Sequence, residues 1–333
     1  MFPRALVGLV QPKTTDPFDP AARFRRWLAI FAALAAFGYL GYAVWRGWSQ
    51  TAAVLASFDW PLYVVVLALT LVNYGLRFWK WAWLLGRVGV QIPLRTNLWI
   101  FGAGLAMVIT PGKAGELLKP YLVRVATGAA LETTVPVLVA ERGTDGITVV
   151  ILAALGVSTF YADGTTAVYG TLAAMGFGLA LLSSQTLGLG AIGLVRRFSP
   201  GIADRVETTW RTLRICTAPW PLFVTLTVSF GAWVAECIGM WLVFHGLGVK
   251  ATLAASTFLY AFATLFGAPS PGGMGMADAA LVEGAMAVVP GIDGPQAVAA
   301  ALLIRVATLW FGVGIGGLAL LGMEGALASA RQK

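Results

Sequence analysis

The sequence predicts an all-α, polytopic membrane protein of about six full spans plus two oppositely oriented re-entrant helical hairpins in an inverted repeat. Three observations carry this. Of the 333 residues, 58% are hydrophobic and 11% charged, with a mean hydropathy of +0.79, too little polar surface to cover a soluble globule. Apolar runs near the bilayer-crossing length of about 20 residues recur along the chain. Two of the most apolar regions are interrupted by helix breaks, Thr110-Pro111-Gly112-Lys113-Ala114-Gly115-Glu116 and Ser270-Pro271-Gly272-Gly273-Met274-Gly275.

Residues 1–26 form a polar cytoplasmic tail ending in the basic collar Arg23, Arg25 and Arg26. The proline-spaced tract 11–20, and the lack of a small-residue cleavage site after the first apolar run, argue against a removable signal peptide. A single membrane domain then covers 27–322. Its first span is 27–45. The second, 61–85, ends among Arg77, Lys80, Arg87 and Arg95, which places that end in the cytoplasm. At about 1.5 Å per residue the run 98–110 reaches roughly 20 Å, short of the roughly 30 Å hydrocarbon core. It therefore stops inside the membrane, where Pro111-Gly112 breaks it, and Lys113, Lys119 and Arg124 mark a return to the cytoplasmic face. Irregular backbone persists in a bilayer only when buried in protein or lining a wet cavity.

A long helix over 132–160 carries Glu141, Arg142 and Asp145 and leads to the loop 161–164, which lacks basic residues and belongs outside. The run 167–195 crosses back to Arg196, Arg197, Arg205, Arg211 and Arg214, the strongest cytoplasmic signal in the chain. Residues 219–245 cross outward with Glu236 inside the span. The run 252–268 is again short and ends in proline, 269–275 is the second break, and 277–289 returns to an outside turn at 290–295. The last crossing, 297–322, carries Arg305, and 323–333 form a cytoplasmic C-terminal tail.

Sliding the chain against itself by 160 positions superposes Pro61 on Pro221, Trp81 on Trp241, Gly86 on Gly246, Pro111 on Pro271, Gly112 on Gly272 and Gly115 on Gly275 without a gap. Arg142 and Arg305 correspond after a small insertion. Repeat one covers about 61–160 and repeat two about 219–322. Because the basic residues make 61–85 run inward and 219–245 outward, the repeats are inverted, a recurrent plan of transporters with a central site.

The motifs Pro111-Gly112-x-x-Gly115-Glu116, Glu141-Arg142-x-x-Asp145 and Pro271-Gly272-Gly273-Met274-Gly275, with Arg77 before and Arg305 after them, resemble the transmembrane region of bacterial lysylphosphatidylglycerol synthase. The resemblance covers about 25–322. It implies a flippase-like protein of a bacterial cytoplasmic membrane, without the soluble synthase domain, since this chain ends after its last span. It implies membrane lipids as partners, with a lipid-synthesising enzyme as a further partner, and leaves the cargo and the oligomeric state open. Where the family often has glutamate after its second Pro-Gly-Gly motif, this sequence offers Asp278 and Glu283.

A charge at the bilayer centre costs on the order of 3 kcal/mol, so Arg142, Arg305, Glu141, Asp145, Glu116 and Glu236 need a reason to be there. One reading is a hydrophilic cavity where Arg77, Lys113, Arg142 and Arg305 receive a lipid phosphate, arginine offering a bidentate fork. Backbone N–H groups at the half-helix starts after Gly115 and Gly275 would assist. The other reading is structural pairing: Arg142 with Asp145 three positions on, Glu116 with Lys119, and Arg305 with Asp278 or Glu283. A gradient acting through Glu116, Glu141 or Asp145 would drive movement.

The alternatives are a membrane-integral enzyme or accessory protein acting on a lipid headgroup, and a partner-organising protein. Against the enzyme stands the lack of a histidine-carboxylate cluster, a metal set or a nucleophile elbow. No cofactor is implied. The net charge of +8 sits mostly at the ends of apolar runs, which favours anionic lipid over nucleic acid. Cys216 and Cys237 are packing residues, and His245, at a span end, is interfacial.

Overall fold

The computed structural model describes residues 48–110, 115–160, 170, 173 and 185–331. The N-terminal tail, the span 27–45, the loop 161–164, most of 167–184, and the break residues Pro111, Gly112 and Lys113 lie outside the described residues. Within them the protein is a multi-span helix bundle. The helices are α1 (Trp48–Ala56), α2 (Trp60–Arg87), α3 (Leu94–Ala106), α4 (Leu118–Thr127), α5 (Leu131–Phe160) and α6 (Gln185–Phe198). They are followed by α7 (Pro200–Thr217), α8 (Pro219–Gly246), α9 (Leu253–Phe266), α10 (Met276–Val288), α11 (Gly294–Arg305) and α12 (Phe311–Arg331). Three stretches, Trp60–Arg87, Pro219–Gly246 and Gly294–Gly322, are long and apolar enough to cross a membrane.

The paired long helices α2 and α8 form the spine. Each starts with proline in its first turn, where the missing N–H costs nothing. They pack side by side, and the Asn73 amide Nδ2 donates to the Ala232 carbonyl at 2.8 Å across the contact. Val64, Val65, Leu71 and Val72 on α2 face outward and remain exposed, as lipid-facing side chains do.

The two short helices stop where the sequence places the breaks. After Ala106 the chain tightens into the 3-10 turn Met107–Ile109, and Thr110 leaves it extended. After Phe266 comes the 3-10 turn Pro271–Gly273, with Gly272, Gly273 and Gly275 at φ of 60°, 76° and 78°. Only glycine adopts that left-handed backbone without penalty. The two turns touch: a Cβ at Gly272 would lie 3.4 Å from Ile109 Cα.

The short helices then cross over, α3 packing on α12 and α9 on α5. Both crossings are made close by glycine. A Cβ at Gly156 would sit 2.1 Å from Phe258 Cβ, and one at Gly316 would sit 2.4 Å from the Ala106 backbone nitrogen. The second obstacle is backbone, which cannot rotate away. Gly316→Ala is therefore expected to lower stability by about 1–3 kcal/mol, the usual cost of overpacking. Unfolding in detergent checks this, and a wild-type midpoint would mean that the α3–α12 crossing yields freely.

The basic stretch 196–214 belongs to a helical hairpin, α6 and α7, in which Arg196 pairs with Asp204 at 3.2 Å and Glu207 at 2.7 Å, with α7 packed on α5. The apolar stretch of the last candidate span ends at Gly322, and its helix continues to Arg331.

Candidate functional site

The centre of α5 supplies Glu141, Arg142 and Asp145. Glu141 and Asp145 are four positions apart, which stacks their carboxylates on one helix face, and Arg142 leans beside them. On α2, Arg77 and Lys80 sit three apart and face this cluster. Lys80 is fully buried: its ammonium donates to Asp145 Oδ1 at 2.5 Å, Ser229 Oγ at 2.6 Å, the Glu141 carbonyl at 3.2 Å and Thr144 Oγ1 at 3.3 Å. Lys119, on α4, is also buried and reaches Glu141 Oε2 at 2.6 Å, with its ammonium 4.1 Å above the Trp81 ring.

Arg142 spans the rest of the cluster. Its Nη2 donates to Glu141 Oε1 at 2.7 Å, its Nη1 lies 3.6 Å from Asp145 Oδ2, and its Nε stands 2.8 Å from Glu116 Oε2. That last contact is an ion pair whose N–H is not aimed at the oxygen, and among the described residues Glu116 has no aligned donor. Arg77 Nε is 3.6 Å from Asp145 Oδ2, likewise without alignment. Among the described residues, four cations (Arg77, Lys80, Lys119, Arg142) thus meet three carboxylates (Glu116, Glu141, Asp145), one positive charge in excess.

A cavity opens beside this cluster, with an empty volume of about 930 Å³ that includes space open to the outside. Arg77, Glu116, Arg142, Glu236, Tyr260 and Arg305 all line it. Arg305 is fixed by Asp278 Oδ1, 2.8 Å from its Nε, and by the Gly272 carbonyl, which accepts from its Nη2 at 2.6 Å. Immediately after Arg305 the helix widens into a π turn, Val306–Trp310, a feature frequent at functional sites. Tyr74 donates from its hydroxyl to the Thr308 carbonyl inside that turn.

The structure brings together Arg77, Glu116, Arg142, Gly272, Gly273 and Arg305 on the cavity wall, with Glu141 and Asp145 behind Arg142 and Asp278 behind Arg305. Two expectations are corrected. Lys80 is not a charge at a cytoplasmic span end, because it is sealed against Asp145. Glu116 and Lys119 do not pair with each other: Lys119 turns inward to Glu141, which frees Glu116 for Arg142. At the two breaks the N–H groups of Gly115 and Gly275 themselves are bonded within the chain, to Thr110 Oγ1 and Asp278 Oδ2, each at 2.8 Å. Lys80, Lys119 and Ser229 were the residues that sequence reasoning left out of the site. Lys80 was findable, because 80 lies one helical turn from Arg77 within an apolar span.

Both cysteines are free and buried, and burial pushes the Cys216 thiol up to about 12, which makes it a poor nucleophile. Among the described residues no group of three or more His, Cys, Asp or Glu is placed to hold a metal.

Residues 27–316 match the family described as the lysylphosphatidylglycerol synthase transmembrane region. Two relatives, both named UPF0104 membrane protein and both from Methanothermobacter thermautotrophicus strain Delta H, are 24% identical to this chain. One aligns over 319 residues, 86% of this chain and 90% of the relative; the other over 279 residues, 75% and 82%. Both are archaeal, so this likeness lends no support to a bacterial source.

Proposed function

We propose, from the premise that the chain belongs to the lysylphosphatidylglycerol synthase transmembrane-region family, that it moves a lipid with an anionic phosphate headgroup between leaflets. The headgroup enters the cavity between α2, α5, α8 and α9 while the tails stay in lipid. One observation carries this reading: three arginines from three helices, Arg77, Arg142 and Arg305, line a single cavity inside an apolar bundle. Structural pairing alone would place every guanidinium on a matched carboxylate, yet among the described residues this cluster keeps a surplus cation and two buried, poorly aligned ion pairs, Arg77–Asp145 and Arg142–Glu116, beside the cavity. Guanidinium forks suit phosphate oxygens.

The two breaks are the halves of one site in this reading. Contact between the turns at 107–109 and 271–273, the α2–α8 spine, and the reciprocal crossings α3–α12 and α5–α9 are what an inverted repeat with a pseudo-two-fold axis would produce. Labelling single cysteines introduced for Trp210 and Gly294 tests the inversion. The label at 210 is expected on the cytoplasmic side and that at 294 outside; both on one side would end the inverted arrangement.

Reconstitution tests transport itself. Vesicles containing the purified chain are expected to expose fluorescent phosphate lipids of the inner leaflet faster than empty vesicles, with the lipids chemically unchanged by mass spectrometry. If no phosphate lipid moves faster, the transport reading fails. A changed product mass would instead favour an enzyme acting on the headgroup.

A further inference from the structure

The carboxylates expected to carry a driving proton, Glu116, Glu141 and Asp145, are each held by a cation within 3 Å. Asp278 is held in the same way by Arg305. Glu236 is not. It is 4% exposed, lies mid-way along α8 on the cavity wall, and accepts a hydrogen bond at 3.3 Å from the Tyr260 hydroxyl. Among the described residues it makes no ion pair. Among the described residues two other buried polar atoms of the same cavity's lining side chains, Asn73 Oδ1 and Trp233 Nε1, also have no hydrogen-bond partner.

The groups around Glu236 come from every helix packed on α8. Tyr74 and Arg77 face it from α2, with Lys80 behind them. Arg142 comes from α5, backed by Glu141 and Asp145; Tyr260 comes from α9 and Arg305 from α11. Cys237 adjoins it on α8 itself, and α7 adds nothing to the cavity wall.

On the phosphate-lipid reading, we infer that Glu236 takes up a proton when the anionic headgroup binds at Arg77 and Arg142 and releases it when the headgroup leaves. Headgroup and proton therefore cross together. With the cavity empty, the Glu236 carboxylate offsets the one surplus cation of the cluster. A phosphodiester brings a second negative charge to the same cations, and an uncompensated charge in a low-dielectric interior is costly. A proton from water on the open side, bound at a Glu236 carboxylate oxygen, restores the balance without altering any covalent bond of the lipid. The Tyr260 hydroxyl donates to the charged form and sets the pH at which this happens.

The test uses the full chain in detergent with short-chain phosphatidylglycerol, titrated calorimetrically in buffers of different ionisation heat. Uptake of about one proton per lipid bound is expected for the wild type, and close to none for Glu236→Gln. Tyr260→Phe should keep the uptake but move its midpoint to higher pH. In vesicles, an imposed pH gradient should bias wild-type flipping and leave Glu236→Gln indifferent. Binding without proton uptake, the same uptake in Glu236→Gln, an unmoved midpoint in Tyr260→Phe, or no binding of any phosphate lipid would each overturn the inference. Lipid binding with proton uptake but no flipping would retain the proton site and remove the transport reading, so the two fail separately.

Discussion

Asp145→Ala is expected to destabilise the protein by about 3–5 kcal/mol, the range for stripping one partner from a buried ion pair. Asp145 takes hydrogen bonds from Lys80 and Ser229 and stands 3.6 Å from both Arg77 and Arg142. Its loss leaves four cations facing only Glu116 and Glu141. Lys80 has no route to water, because its whole side chain is buried between α2, α5 and α8. Lys80→Met should cost a similar amount by leaving Asp145 short of its closest donor. The double variant Lys80→Met with Asp145→Leu should recover most of the loss, since apolar replacement of both members of a buried pair is often neutral. Reversible unfolding in mixed micelles measures all three. If Asp145→Ala unfolds within about 0.5 kcal/mol of wild type, the level of an ordinary surface change, this pair does not join the three helices.

Much of this bundle is legible in the sequence because lipid allows few backbone solutions. With every peptide group needing an internal partner, an apolar run becomes a helix, and its length reports where it ends. The arrest near Thr110 and the break at Pro271 to Gly275 follow from proline chemistry and from glycine's access to positive φ, both local properties of the chain. Helical character in 196–214 was less visible. Its arginines dominate the reading as a topological signal, and the helix depends on tertiary packing against α5 together with pairs such as Arg196–Glu207, which lie far apart along the sequence.

The site divides in the same way. That charges inside apolar helices must cluster follows from their insertion cost, and Arg142 and Arg305 are identified by that argument alone. Which carboxylate each cation takes does not follow. Spacing favours Glu116 with Lys119, three apart, but Lys119 turns toward the buried Glu141 carboxylate and the Trp81 face instead of its neighbour in sequence. Likewise, Gly115 and Gly275 present N–H groups at helix starts, and only the folded positions of Thr110 and Asp278 reveal that those donors are already used. Partner choice lives in three dimensions, whereas the burden of buried charge is visible in one.

Arg305→Gln should slow lipid flipping by about 10- to 100-fold while the protein still inserts and folds. Hydrogen bonds from a charged donor contribute about 1.5–3 kcal/mol, and each 1.4 kcal/mol is tenfold in rate or affinity. Arg305 makes two such contacts at once. Its Nε engages Asp278, which itself accepts the Gly275 N–H, and its Nη2 binds the Gly272 carbonyl between two left-handed glycines. The guanidinium thereby fastens the second break to α11, one residue before the π turn, and the break in turn rests against Ile109 of the first. Removing the fork loosens both halves of the cavity as well as deleting a phosphate ligand. Arg305→Lys separates these effects, because an ammonium keeps the charge opposite Asp278 but cannot hold Asp278 and Gly272 in one planar fork. Flipping in Arg305→Lys is expected to fall between wild type and Arg305→Gln. Wild-type flipping in Arg305→Gln would show that neither the charge nor the tether contributes to transport, and Arg305 would then be a structural residue of α11.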